Sequence, residues 1–193
     1  TYSANMDFFL FSFSVGTFGV VLMAIFGIIA VKQPEVKSAR YMAAAFFFGI
    51  LSLVLYELWE PLQRYGLELT IEMSLWLGNL ALAMAFGDRF GWKPPKWLIA
   101  ALLGGGLFAL SQVTEDHRAA GHLISDLLIM DAIAAALMFM PLAVVGRNAD
   151  SPMNKGFLIF LIMMGSIPIL RALMLLSGSY PDGFESEREF HLA

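Results

Sequence analysis

The distribution of basic residues between six long apolar runs constrains this chain more than any other feature. Eight of the 12 Lys and Arg residues lie in the first, third and fifth gaps between those runs. Short loops that are rich in Lys and Arg stay on the cytoplasmic side of a membrane, and acidic residues contribute little to orientation. The pattern therefore predicts that these three gaps face the cytoplasm and that both ends of the chain face outward.

The composition predicts the same class of protein. Hydrophobic residues make up 59% of the 193 residues and charged residues only 15%, which is too little polar surface for a water-soluble globule. A hydrocarbon core of ~30 Å needs about 20 helical residues to cross it. We therefore predict an all-α, multi-pass integral membrane protein, a six-helix transmembrane bundle in one domain over 1–193. The predicted spans are about 8–31, 39–63, 69–88, 96–113, 122–146 and 154–178.

Several kinds of chemistry are excluded by what the sequence lacks. There is no Cys, and the three His residues are too scattered for a metal or haem site. Neither a phosphate-binding G-x-x-x-x-G-K-[ST] loop nor a G-x-S-x-G nucleophile elbow occurs. We therefore expect no catalytic residue, no metal, no cofactor and no enzyme activity in this chain. The net charge of −4 argues against nucleic acid as a partner.

Polar residues inside the predicted spans carry most of the functional information, because an ionisable group in hydrocarbon is costly without a partner or a task. These residues lie at or outside the predicted membrane midplane, on the second, third, fifth and sixth spans. We predict that they surround an outward-facing pocket for a small ligand. The candidate ligand-binding residues are Arg171, Asp131, Asp126, Glu57, Glu60, Tyr56, Trp76, Asn79 and His122.

Arg171 is the only base at membrane depth, and its fixed charge requires a carboxylate or a hydrated cavity. Glu57, Asp126 and Asp131 are the acids at a compatible depth. Asp126 and Asp131 are about 140° apart around an ideal helix, so at least one of them should point into the bundle. The sequence leaves open whether Arg171 and its acid contact a ligand or only join two helices.

The run Gly104-Gly105-Gly106 interrupts the fourth apolar run. Small residues are the usual packing surface between helices in lipid, so we predict that this run lets a neighbouring helix approach closely. Transporters built from inverted repeats place such interruptions at matching positions in two halves. Here the other interruption is Pro168, which does not correspond in position, so the sequence gives only weak support for a transporter.

Six stretches spread over the second, third and sixth predicted spans form one pattern. They are Ala39-Arg40-Tyr41-Met42-Ala43, Gly49, Tyr56-Glu57-Leu58, Leu77-Gly78-Asn79-Leu80, Phe90-Gly91-Trp92 and Ile169-Leu170-Arg171-Ala172-Leu173. With these stretches the chain resembles the N-terminal multi-helix sensor segment found ahead of GGDEF domains in bacterial diguanylate cyclases. The family pattern has an Asn in the third span, a basic turn that contains Gly, and an Arg-Ala pair late in the sixth span. These features cover most of the chain from 39 to 176.

The resemblance implies a signal-sensing input module in a bacterial inner (plasma) membrane. Such a module relays to a cytoplasmic output domain, such as a diguanylate cyclase in cyclic di-GMP signalling. It also implies a homodimer, because paired output domains must meet. An outward-facing tail would require one further span after Glu189, as in a seven-helix receptor, to bring the chain back inside.

Two other functional classes stay open. One is a small secondary transporter, in which Asp131 and Glu57 titrate, and the other is a structural subunit of a larger membrane complex.

Overall fold

The computed structural model describes residues 2–62, 65–112 and 123–177, and within these ranges it contains seven helices and no strand. The all-helical prediction is therefore confirmed for the described part of the chain. The helices are α1 (Tyr2–Lys32), α2 (Lys37–Leu62), α3 (Tyr65–Asp88), α4 (Lys96–Ser111), α5 (Leu123–Phe139), α6 (Leu142–Arg147) and α7 (Pro152–Leu176).

Four helical segments are long and apolar enough to cross a membrane, judged by length and composition: Lys37–Tyr56, Leu69–Asp88, Leu128–Arg147 and Pro152–Met174. Two shorter apolar segments cover Gly16–Lys32 and Lys96–Ser111. The six-span topology and the predicted sidedness stay predictions.

The outer surface of α7 has the character of a lipid-facing helix. A stripe of large apolar side chains runs along it at spacings of four, four and three residues, and all of them are more than half exposed: Ile159, Met163, Ile167 and Leu170. Soluble monomers rarely expose a continuous apolar surface of this kind, whereas lipid tails solvate it without cost.

The fifth apolar run is divided into two helices, whereas the sequence predicts one span over 122–146. α5 ends at Phe139, and Met140 and Pro141 form a turn before α6 begins. Proline has no backbone N–H to donate and its ring clashes with the preceding turn, so a helix cannot continue through it without distortion. The six apolar runs therefore correspond to seven helices.

The contacts between side chains give the relative directions of the central helices. Asp131 near the start of α5 pairs with Arg171 near the end of α7, and Phe139 at the end of α5 lies against Gly165, so these helices are antiparallel. The indole Nε1 of Trp76 on α3 donates to the carbonyl oxygen of Met130 on α5 at 3.4 Å. α3 therefore packs beside α5, and it also packs against α2.

Two buried clusters hold these helices together. The first joins α3, α4 and α5 through Trp76, Leu80, Leu110, Met130 and Leu137. The second joins α3, α5, α6 and α7 through Ala83, Met138, Val145 and Leu161. Because α3 and α5 contribute to both clusters, they form the fixed frame on which the candidate site is built.

Candidate functional site

An ion pair between α5 and α7 is the centre of the candidate site. The Nε of Arg171 donates to both carboxylate oxygens of Asp131 at 3.0 Å, and Nη2 also donates to Oδ1. The Asp131 side chain is 1% exposed and that of Arg171 is 27% exposed. Among the residues that the structure describes, Asp131 is therefore an acidic partner of Arg171, held by a bidentate contact that fixes the orientation of both groups.

The close packing of α5 on α7 explains why these two side chains meet. A Cβ placed on Gly165 would lie 2.5 Å from Cε1 of Phe139, so a side chain at this position would force the ring of Phe139 to shift. Arg171 follows Gly165 by six residues and Asp131 precedes Phe139 by eight. Since the helices are antiparallel, the contact at Gly165 brings the ion pair together about two turns away.

Trp76 is fixed by its neighbours on both sides. Its side chain is 1% exposed, and a Cβ on Gly106 would lie 2.7 Å from its Cη2 atom. The prediction that the triple glycine allows a close helix approach is thus confirmed for Gly106. Gly104 and Gly105 differ, because a Cβ on either of them would meet nothing within 4 Å.

A cavity of about 210 Å³ lies beside the ion pair. Four of the residues predicted from the sequence border it, together with one further acid, Glu72. The remaining wall is apolar and includes three Met side chains. The lining residues are Glu72, Leu75, Trp76, Asn79, Met130, Asp131, Ala134, Met138, Met164, Ile167, Pro168 and Arg171.

A second cavity of about 70 Å³ adjoins the first, and Tyr56 borders this one. The two cavities share Glu72, Leu75, Met130 and Arg171 as common walls. The second is completed by Ser52, Leu53, Tyr56 and Ile71 from α2 and α3. Five of the predicted residues, on α2, α3, α5 and α7, are therefore brought around one pair of adjoining cavities.

Glu72 is the site residue that sequence reasoning missed. It lies near the start of the third predicted span and was not among the predicted site residues, yet it is only 5% exposed and borders both cavities. Glu72, Trp76 and Asn79 are spaced at i, i+4 and i+7, which places all three on one helix face. That spacing was the signal in the sequence that could have identified it.

The other predicted site residues lie outside what the structure describes. These are the side chains of Glu57, Glu60 and Asp126, and the whole of His122.

Among the described residues, no three His, Cys, Asp or Glu side chains are grouped as metal ligands would be. The described site instead combines a fixed ion pair, a buried acid, an amide and an apolar wall, which is the usual composition of a small-molecule pocket. Comparisons of the chain with protein-family models, curated proteins and solved structures gave no match. Function is therefore inferred from the chemistry around Arg171 and Asp131.

Proposed function

We propose that the chain is the sensing module of a bacterial receptor, multi-pass in the inner membrane. A small ligand binds in the outward-facing cavities among α2, α3, α5 and α7, and the change is relayed to a cytoplasmic output domain. The resemblance to the segments ahead of GGDEF domains favours a diguanylate cyclase as that output and a homodimer as the signalling unit. The observation that carries the proposal is the open space beside the Arg171–Asp131 pair.

An ion pair that only joins two helices does not require that space. The larger cavity is open on one side, where its wall residue Ile167 is 54% exposed, so a ligand can enter it from there. An apolar cavity of about 150 Å³ is large enough to bind benzene. The larger cavity, at about 210 Å³, therefore has room for a molecule slightly larger than benzene.

The Arg171–Asp131 pair also offers a way to pass a change on ligand binding to the output domain. Asp131 and Arg171 lie on different helices, so a ligand that changes their separation moves α7 relative to α5. Pro168 lies three residues before Arg171 and removes a backbone hydrogen bond from that part of α7. The outer end of α7 can therefore shift with less loss of helical hydrogen bonding than an uninterrupted helix would suffer.

The first test is the coding sequence beyond Ala193 in the natural gene. We expect a seventh apolar run followed by a soluble signalling domain. A stop codon directly after Ala193 would refute the relay, because no output domain would then be attached.

The second test fills the larger cavity in the natural protein. Ala134 lines this cavity, and Ala132 lies two residues away on the exposed side of α5, so Ala134→Phe and Ala132→Phe form a matched pair. We expect Ala134→Phe to lock the output in one state, measured as the cellular cyclic di-GMP level under conditions that change it in the wild type. Ala132→Phe should respond as the wild type does. Equal responses from both variants would contradict a sensing role for the cavity.

A transporter is the alternative that a specific observation favours. The break at Met140 and Pro141 makes the fifth apolar run discontinuous, and discontinuous helices are frequent at transporter binding sites. A transporter would move solute across sealed proteoliposomes that contain only this chain, whereas a sensing module would bind solute without accumulating it. Uptake that Ala134→Phe abolishes and Ala132→Phe preserves would replace the sensing proposal with this one.

A further inference from the structure

We propose that the larger cavity takes a neutral, ring-sized molecule dissolved in the bilayer, which enters sideways between α3 and α7 and forms a hydrogen bond with Asn79. This inference rests on the proposed function, because it names the class of ligand for the same site and the route by which that ligand arrives.

The packing of three helices leaves the larger cavity open to the protein surface. Its lining comes from α3, α5 and α7. α3 and α7 each pack against α5, whereas among the described residues they make little contact with each other. Leu75 of α3 and Ile167 of α7 border the cavity and are 40% and 54% exposed. We call the opening that these two residues border the mouth of the cavity.

The surface around the mouth is apolar. Ile167 belongs to the exposed stripe of α7 that also contains Met163 and Leu170. Leu75 and Ile167 both lie within segments that are long and apolar enough to cross a membrane. In a bilayer this surface lies against lipid tails, so a molecule dissolved among the tails reaches the cavity without passing through water.

The charged groups of the wall already have partners, which favours a ligand without charge. Both carboxylate oxygens of Asp131 accept hydrogen bonds from Arg171. Glu72 and Arg171 each make a further interaction as well. A charged ligand would have to replace one of these contacts, and a buried charge left without its partner is costly. It would also have to enter through a mouth of hydrocarbon, where an ionised group is poorly solvated.

Asn79 supplies a polar contact for a neutral ligand. It is half-buried, borders the larger cavity and lies near the middle of the apolar segment Leu69–Asp88. Within the part of the chain that the structure describes, its side-chain amide makes no hydrogen bond. An unpaired amide in an apolar environment is costly, and it offers both donors and an acceptor. One hydroxyl or carbonyl group on the ligand would therefore satisfy it.

The rest of the wall suits a single ring. Trp76 is 1% exposed and presents an aromatic side chain against which a second ring packs favourably. Met138 and Met164 contribute flexible thioethers that adapt to irregular shapes. Because a cavity of about 150 Å³ binds benzene, a volume of about 210 Å³ has room for one ring with a small polar substituent.

The first test compares benzyl alcohol with toluene, protonated benzylamine and benzoate. Each probe is titrated into the purified full chain in nanodiscs of neutral lipid, with empty nanodiscs as the blank, and the Kd is measured by calorimetry. We expect benzyl alcohol to bind about fivefold more tightly than toluene, and both charged probes to bind at least about tenfold more weakly than benzyl alcohol. Ala134→Phe should abolish the binding of benzyl alcohol and Ala132→Phe should preserve it.

Asn79→Leu tests the polar contact. It removes the amide at similar volume, so benzyl alcohol should fall to within about twofold of toluene. The variant also removes an amide that has no hydrogen-bond partner among the described residues, so the midpoint of unfolding should stay unchanged or rise. Asn148→Leu is the matched control, because Asn148 is exposed and borders neither cavity, and it should preserve the preference.

Ile167→Trp tests the route. A larger side chain at the mouth should slow entry and exit together, so both rates should fall about tenfold while the Kd stays within about threefold. The rates are measured for 4-fluorobenzyl alcohol by fluorine exchange NMR. Met163→Trp is the matched control, because Met163 is exposed on the same stripe and does not border the cavity, and it should leave both rates unchanged.

Four results would overturn the inference. Tighter binding of either charged probe would reject a neutral ligand, and binding that Ala134→Phe does not abolish would place the probes in lipid. A clear loss of stability in Asn79→Leu, or an unchanged preference, would assign Asn79 a structural role. Rates that Ile167→Trp leaves unchanged would reject entry through the mouth. The proposed function is judged separately, by the effect of Ala134→Phe on cyclic di-GMP output, which requires no ligand to be known.

Discussion

Removing the charge of Arg171 is the perturbation with the most definite expected size. Asp131 is 1% exposed and receives two hydrogen bonds of 3.0 Å from Arg171 Nε. Breaking a buried pair by deleting one partner costs about 3–5 kcal/mol, mainly because the other charge stays buried. Arg171 itself is 27% exposed, so water partly screens the pair, and we expect a cost of about 3 kcal/mol, at the lower end of the range.

The assay is equilibrium unfolding of the purified protein in mixed micelles, with Arg171→Ala, Asp131→Asn and the double variant measured side by side. Each single variant should be destabilised, and the double variant should be more stable than the sum of the two predicts. The difference is the coupling energy, which for residues in direct contact is about 0.5–3 kcal/mol.

Arg89→Ala is the matched control. Arg89 is an exposed Arg whose Nε lies 3.4 Å from Asn154 Oδ1 and whose guanidinium carbon lies 5.2 Å from the centre of the Phe157 ring. Its removal should cost about 1 kcal/mol or less, because exposed contacts of this kind are weak.

The functional readout separates a bridge from a ligand contact. The Arg171→Ala and Asp131→Asn double variant should recover stability and still fail to signal if the charges act on a ligand. Full recovery of signalling would assign the pair to helix bridging alone. An Arg171→Ala variant as stable as the wild type, or fully additive single variants, would refute the assignment of a buried, coupled pair.

Two further predictions address packing and orientation. Gly106→Ala should destabilise the protein by about 1–3 kcal/mol, because its Cβ would overlap the indole ring beside it. Gly104→Ala, where a Cβ meets nothing within 4 Å, should be neutral or slightly stabilising in the same unfolding assay. Because the chain has no Cys, a single Cys in place of Ser38 should react with an impermeant label only from the cytoplasmic side, and one in place of Glu115 only from outside. Labelling of both from one side would contradict the predicted orientation.

The helices follow closely from the sequence. The second apolar run predicted a span over 39–63 and the helix covers Lys37–Leu62; the third predicted 69–88 and the helix covers Tyr65–Asp88. Helix formation in an apolar run depends on local properties, namely hydropathy and the need to satisfy backbone hydrogen bonds without water. Pro141 carried a local signal too, and the break after α5 lies where that residue prevents the helix from continuing.

The sequence also required that Arg171 have either an acidic partner or a hydrated cavity, because a fixed charge at membrane depth is costly when it is alone. It offered three acids for that role and could not choose among them. The observed pairing of Arg171 with Asp131 depends on how far α5 is rotated about its axis and how close it comes to α7. Both are set by non-local packing, in particular the contact of Phe139 with Gly165.

Tertiary structure alone decided the shape of the candidate site. Glu72 was not among the predicted site residues, yet it is buried because α2, α5 and α7 close around that end of α3. Tyr56 shared a predicted pocket with Trp76, but the two side chains border different, adjoining cavities. A sequence fixes which side chains a helix carries and at what spacing, whereas the space between helices depends on side-chain volumes contributed by four separate segments at once.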